Sequence, residues 1–408
     1  MNIASPTLSR RGLLAGSAAM ATIAPGLNVS FAQKAPTPRD ILVVLFQRGA
    51  CDWLQMLAPA GDTNYIAARP TIRIRTDGNT PGLGVGTLSG TDMYLPAVAP
   101  ELKALYDSGK LAFVHAVGIP TTDRSHFTCQ DMMEKGGADN EPEGNAGWLA
   151  RHIASAGTGG AELSTVAASA TNPVSLLGEP TAIAIANTDT FNINGGTANA
   201  NVIRAINGGP TSPYKKIANA ALDAVDDVQG GLRTLKDNSA EAGYTGGALS
   251  QPLRSLAKLI KMNVGIDIAT VDYGGWDMHN SLTGEFNTRT TEFSRALNAF
   301  WKDIAAYQNR VTIVTMTEFG RRLQENASQG TDHGSASGIM VLGGNVAGGK
   351  IYGNWPGLAA NQLITGDLRV TTDYRQVLAE ILVKRHRETK PSTVFPSIAY
   401  NPLGFMNA

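Results

Sequence analysis

Glu318 follows an apolar run, and Thr331-Asp332-His333-Gly334 comes after the next polar loop. Carboxylate and imidazole donors so close together are what a hydrolytic metal site needs, since they bind a cation and leave a position open for water or substrate. Asp277 and His279 stand two apart beyond a Gly274-Gly275 turn and can chelate one cation from a loop, although a lone Asp-x-His is a common pattern. Asp52 lies just past another apolar run, and is either a further ligand or the cap of the next helix. In Thr121-Thr122-Asp123-Arg124-Ser125-His126-Phe127, hydroxyls precede a helical segment. Free backbone N–H groups and the positive dipole end at such a place suit an anion. Ser125 is the candidate nucleophile, with Thr121, Thr122 and Thr128 as rivals and a plain helix cap as the competing role. His152 reads as a surface or packing histidine, and His386 as a charge favoured by the end of the last helix.

Each of these stretches needs an element to hold it. Val311 to Met316 and Ile41 to Phe46 are apolar runs of the kind that fill a strand buried on both faces. Leu111 to Val117, Ile266 to Val271 and Ile339 to Leu342 read the same way. Helices are expected at Pro100 to Asp107, Thr128 to Glu134, Gln251 to Val264, Phe286 to Tyr307 and Asp373 to Arg385, with a further one beginning near Gly147. In the Gln251 helix, Leu253, Leu256, Leu259, Ile260 and Val264 recur at helical spacing with basic residues opposite. Glu318, Asp52, Asp277 and Ser125 all fall just past strands, the edge of a parallel sheet where ligands collect. Residues 60–93 read as loop with one hairpin, and residues 157–247 as an insertion or lid over the strand ends that carries short strands such as Thr181 to Ala186 and a helix around Tyr214 to Asp226.

Acidic and basic residues balance at 34 each, which speaks against nucleic-acid binding or a polybasic membrane surface. Near the start, Arg10-Arg11 precedes a short apolar stretch, Leu14 to Ile23, and Ser30-Phe31-Ala32 reads as a cleavage site. That stretch is far short of the roughly 20 residues a spanning helix needs. Paired arginines before a weakly hydrophobic core predict a twin-arginine export signal over residues 1–32 and a periplasmic or secreted protein with no stable membrane span. The export machinery is then one partner. Cys51 and Cys129 are the two cysteines, and an oxidising compartment permits either a disulfide or two buried thiols.

Taken together, the motifs resemble one family. They are the twin-arginine leader, Arg48-Gly-Ala-Cys-Asp-Trp-Leu54, the stretch from His115 to Phe127, and Gly147-Trp-Leu-Ala-Arg151. Gly274 to His279, Thr317 to Arg322, Thr331 to Gly334 and Thr371 to Leu382 complete the set. The chain resembles the exported bacterial family of unknown function numbered 1501, a branch of the alkaline phosphatase and sulfatase superfamily. The resemblance implies a three-layer α/β/α sandwich with a mostly parallel central sheet over residues 33–408. It also implies one or two divalent ions at the carboxyl ends of the strands. By position, Asp52, Asp277, His279, Glu318, Asp332 and His333 match metal ligands, and Ser125 lies near the nucleophile position with His126 beside it. Zn²⁺, Ca²⁺, Mg²⁺ and Mn²⁺ are all compatible with so mixed a donor set. If the family fold holds, the cysteines are close, which implies a Cys51–Cys129 disulfide bracing the site. Ser335 stands where family members often carry a second histidine, and Cys129 lacks the following x-Pro-x-Arg from which sulfatases make their nucleophile.

The resemblance therefore implies a metal-dependent hydrolase of a small phosphate or sulfate ester. Arg48, Arg124 and Arg321 are its candidate anion clamps, and equally candidates for structural salt bridges. The alternative is a non-catalytic exported protein that uses the same cleft to bind a ligand, metal or partner.

Overall fold

Ile41–Gln47 is buried along its whole length and pairs in parallel with Ile268–Tyr273 on one side and Val311–Met316 on the other. Its side chains alternate between faces, as the strand period requires. Ile41, Val43 and Leu45 enter one core, while Leu42, Val44 and Phe46 enter a second. A strand that must be apolar on both sides has helices over both faces, and that explains its continuous hydrophobic run.

The computed structural model describes residues 39–139, 145–157, 163–194, 196–207 and 213–407. Its strands in chain order are β1 (Ile41–Gln47), β2 (Leu83–Leu88), β3 (Thr91–Leu95), β4 (Leu111–Gly118), β5 (Thr165–Ala167), β6 (Ile183–Ala184) and β7 (Ile268–Tyr273). They continue with β8 (Val311–Met316), β9 (Arg321–Glu325), β10 (Thr331–His333), β11 (Ser337–Gly343), β12 (Ile351–Tyr352) and β13 (Thr372–Asp373). The main sheet has the order β12-β4-β11-β8-β1-β7-β5-β6, with β13 also on β4. Every pairing in it is parallel except those of β11. β2–β3 and β9–β10 form separate antiparallel ribbons, the first of them the expected hairpin.

The helices are α1 (Trp53–Met56), α2 (Thr63–Ala68), α3 (Pro100–Asp107), α4 (His126–Glu134), α5 (Trp148–Ala156) and α6 (Gly196–Asn207). After them come α7 (Pro213–Leu232), α8 (Ser239–Ala242), α9 (Ser250–Lys261), α10 (Leu282–Asp303), α11 (Tyr374–Arg385) and α12 (Pro391–Val394). α1, α3, α9 and α10 bury their apolar faces in the first core, and α4, α5 and α11 in the second. The result is the α/β/α sandwich with a mostly parallel sheet that the family resemblance implies. No helix among the described residues is long and apolar enough to cross a membrane. The expected export signal at 1–32 lies outside the described residues.

Three expectations need correction. The stretch read as an insertion first supplies β5 and β6, which extend the main sheet beyond β7. Of its two long helices, α7 sends Ala224 and Val228 into the first core, and Arg204 of α6 clasps Asp223 and Asp226 of α7 at 2.7 and 3.0 Å. Cys51 and Cys129 are free thiols rather than a disulfide, because Cys51 packs in the first core and Cys129 in the second, across the sheet. His386 is no surface charge at a helix end: it is buried, and burial pushes its pKa down to about 3, so it is neutral near pH 7.

Candidate metal centre

β1, β4, β7 and β8 run the same way, so the loops that follow them open on one edge of the sheet; β11 runs oppositely and starts from that edge. The loop after β7 is pinned by Trp276, whose indole N–H donates to the Tyr273 carbonyl (3.1 Å) and whose ring packs on Phe286 and Phe293. This wedge presents Asp277 and His279 outward. Gly49, after β1, has φ +109°, and a Cβ there would sit 2.7 Å from the Asp277 nitrogen. Only glycine lets the two loops approach so closely. Glu318 leaves β8 into the buried base of the site, and the β9–β10 ribbon sets His333 opposite Arg321. His126 is the first residue of α4, whose cap is Ser125.

These loops converge. The Nε2 atoms of His126 and His279 each lie 3.0 Å from Nε2 of His333. Asp277 reaches all three rings: Oδ1 is 2.9 Å from His279 and 3.3 Å from His333, and Oδ2 is 3.4 Å from His126. One ligand atom each from His126, Asp277 and His333 fits within 4.8 Å. The opposite nitrogen of every ring faces an acceptor. His126 Nδ1 meets Glu318 Oε1 at 2.7 Å, His279 Nδ1 meets Asp332 Oδ1 at 3.0 Å, and His333 Nδ1 meets the Arg124 carbonyl at 2.9 Å. A carbonyl or an ionised carboxylate only accepts, so each Nδ1 carries the proton in the neutral ring and each Nε2 turns a lone pair inward. Lone pairs 3.0 Å apart repel unless a cation or a proton stands among them. Zinc–nitrogen bonds of about 2.0–2.1 Å place tetrahedral nitrogens about 3.3 Å apart, close to this spacing. The residues present therefore fit a metal.

Charge around the centre is arranged to the same end. Burial works against ionisation of Asp277, but the hydrogen bond and charge of Arg321 (2.6 Å) overcome it and hold its pKa down to about 2. Burial likewise opposes the Glu318 anion, yet His126, Gln130 Nε2 (2.8 Å) and Gly49 N (2.9 Å) keep its pKa below the usual value. The Glu318 hydrogen bond in turn raises the pKa of His126 above its ordinary value, whereas burial lowers that of His333. Hydrogen bonds from His279 and Asn326 lower the pKa of Asp332.

The structure distributes the expected residues unevenly. It brings Asp277, His279 and His333 face to face, and places Glu318 and Asp332 behind the rings rather than among the inward atoms. Asp52 is absent from the cluster: it is 2 % exposed, accepts from Gln55 N as the cap of α1, and receives both Arg69 Nη1 contacts (2.9 and 3.0 Å) and the Thr331 hydroxyl (2.9 Å). Arg48 is held by Gln130, Glu134 and Asp272, with its guanidinium over Phe46. Arg124 is tied to two backbone carbonyls and Asp367, and the buried Arg321 to the carbonyls of Gly49, Ala50 and Thr331 as well as to Asp277. None of the three points an unoccupied fork at the centre. Ser125 caps α4 with a long 3.5 Å contact to Thr128 N.

Sequence reasoning missed His126 as a member of the ring cluster, Gln130 as its companion one turn on, and Arg69 as the partner of Asp52. The His126–Gln130 spacing of four puts both on one helix face, where both reach Glu318.

Fold and site together define an α/β protein with a histidine–carboxylate cluster at the carboxyl edge of its sheet. The chain belongs to the family described as "Protein of unknown function (DUF1501)", whose profile matches residues 90–394. A search of curated proteins finds no significant match. Among solved structures, the chain is similar to the C-terminal periplasmic domain of EcEptC from Escherichia coli in complex with zinc, at 8 % identity and TM-score 0.37, covering 76 % of this chain and 74 % of that one. It is also similar to alkaline phosphatase from the Antarctic bacterium TAB5, at 8 % identity and TM-score 0.30, covering 78 % of this chain and 95 % of that one. Likenesses of this depth leave the site to be read from its own residues.

Proposed function

We propose that this protein is an exported, metal-dependent hydrolase of phosphate or sulfate esters, of the alkaline phosphatase and sulfatase superfamily. The observation that carries the reading is the convergence of the inward Nε2 atoms of His126, His279 and His333 with Asp277, each ring held from behind by an acceptor. Hydrogen-bonded acceptors behind ligating histidines are the usual support of a metal. A donor set dominated by imidazole favours a zinc-type ion over calcium or magnesium, which prefer oxygen. When bound, the cation would polarise a non-bridging ester oxygen and lower the pKa of a nearby hydroxyl or water.

The chain's own residues supply the rest. Arg321 fixes Asp277 as an anion, Glu318 orients His126, and the Arg124 carbonyl orients His333. Ser125 is the nucleophile: it precedes His126, and its loose cap contact leaves the hydroxyl available for attack on phosphorus or sulfur. The half-exposed rings leave the centre open to substrate.

One observation favours the second reading, a non-catalytic protein that binds a ligand or metal in the same cleft. All three expected clamping arginines are engaged by the protein itself. The test is the metal content of chain 33–408 by plasma mass spectrometry, followed by turnover of aryl phosphates and sulfates. The hydrolase reading expects about one bound ion per chain, its loss in His333→Ala, and turnover lost with metal retained in Ser125→Ala. Bound metal with no turnover of either ester class decides for the binding protein.

A further inference from the structure

His126, Gln130 and Glu134 recur every four residues along α4 and so share one face of it. That face joins an unbroken line of hydrogen bonds. The buried Glu134 accepts from Arg48 Nη2 through Oε1 and from Val174 N through Oε2 (3.0 Å). Arg48 Nη1 donates to Gln130 Oε1 (3.0 Å), Gln130 Nε2 donates to Glu318 Oε1 (2.8 Å), and that same oxygen receives His126 Nδ1 (2.7 Å). We propose that Arg48 is a positioning residue of the metal centre, acting through Gln130, rather than a clamp for a substrate anion. The assignment rests on the metal-binding part of the function proposed above.

Hydrogen-bond direction makes the line act as a unit. A side-chain amide can turn end for end, and its shape alone does not decide which end faces Glu318. A guanidinium only donates, so Arg48 draws the Gln130 oxygen toward itself and leaves the NH₂ group for the carboxylate. With the amide reversed, Gln130 Oε1 would face Glu318 Oε1. Two acceptors would then meet, and their repulsion would push Glu318 off His126 Nδ1. Arg48 is itself held by Glu134, by Asp272 Oδ1 (3.0 Å) and by the Phe46 ring, whose centroid lies 4.4 Å from its guanidinium carbon. Its main chain donates to the Tyr273 carbonyl (3.0 Å) and accepts from Trp276 N (3.2 Å), next to Asp277. Those backbone bonds survive a change of side chain.

Two measurements on the purified protein test this: zinc affinity against a competing chelator dye, and the absorption spectrum of Co²⁺ bound in place of zinc. Arg48→Met alone strands the Glu134 carboxylate, so it is paired with Glu134→Gln, which removes the buried anion as well. In the paired variant zinc affinity should fall about tenfold, the lower end of what partners behind a ligating histidine contribute, and the Co²⁺ spectrum should change. Gln130→Met should show the same loss, and adding it to the pair should cost nothing further, because both break one line. Charge alone predicts the opposite sign for Arg48→Met, since removing a positive group near a bound cation tightens its binding. Unchanged or tighter zinc binding in the paired variant, or losses from the pair and Gln130→Met that add in full, overturns the positioning role and leaves the metal centre standing. A parent protein that binds neither zinc nor cobalt overturns the metal centre and this role together.

Discussion

Glu318→Gln is the most informative single change at the centre. The carboxylate is fully buried, and its Oε1 receives His126 Nδ1 at 2.7 Å, Gln130 Nε2 at 2.8 Å and Gly49 N at 2.9 Å, while Oε2 lies 3.2 Å from the Thr317 hydroxyl. Glutamine keeps the shape and one acceptor for His126 but removes the charge that holds the ring and raises its basicity. Loss of such an orienting group behind a metal-bound histidine typically weakens metal binding about 10–100-fold, which is about 1.4–2.7 kcal/mol. The cost to the metal-free fold is smaller, about 1 kcal/mol. It arises because a neutral amide oxygen replaces the anion that accepts from His126, Gln130 and Gly49 N. Zinc affinity would be measured against a competing chelator dye at about pH 8, above the ordinary histidine range, so that proton competition at His126 does not mask the effect. An affinity within twofold of the parent, in a variant that is fully folded when metal-free, would refute the role given to Glu318.

Two further outcomes follow from buried charge away from the cluster. Arg69→Met strands the Asp52 carboxylate and should cost about 3–5 kcal/mol in urea unfolding, because both groups are almost wholly buried; zinc stoichiometry of the folded fraction should stay as it was, and a drop would return Asp52 to the metal site. His115 is completely buried, with Nε2 on the Leu57 carbonyl and Nδ1 accepting from Ala116 N, and burial pushes its pKa from 6.5 down to about 4. The unfolded chain therefore takes up this proton first, so the stability it confers is complete above pH 6.5 and declines as pH falls toward 4. The loss approaches roughly 3 kcal/mol at its limit. The difference in stability between parent and His115→Gln, both treated with chelator, should change with pH across that window, and parallel profiles would count against the assignment.

The way these residues were and were not foreseeable shows what a single sequence encodes. β1, β4, β7, β8 and β11 are legible because burial on both faces demands unbroken apolar runs; Asp277, His279 and Glu318 stand out because they fall just past such runs, and His333 because it comes just before one. β5 is hidden: three residues long, it leaves no run to detect, whereas the two-residue β6 falls inside the expected short strand from Thr181 to Ala186. The roles within the site were harder, because a carboxylate just beyond a strand looks the same whether it faces inward or turns away. Asp52 turns away only because Arg69, seventeen positions on in the short helix–loop segment after β1, reaches back to it, and no local pattern announces that pairing. The cysteines fail for a related reason. Cys51 and Cys129 each stand near the site in sequence terms, but the side of the sheet a residue packs on is decided by the path of the chain after the strand. His126 illustrates the converse: beside a serine at a helix start it reads as an accessory to a nucleophile. Only when Glu318 is brought behind its Nδ1 does its Nε2 acquire a direction, toward His333 and Asp277. Spacing along the chain locates donors at a sheet edge, whereas the partner on the far nitrogen decides whether an imidazole there can serve as a ligand.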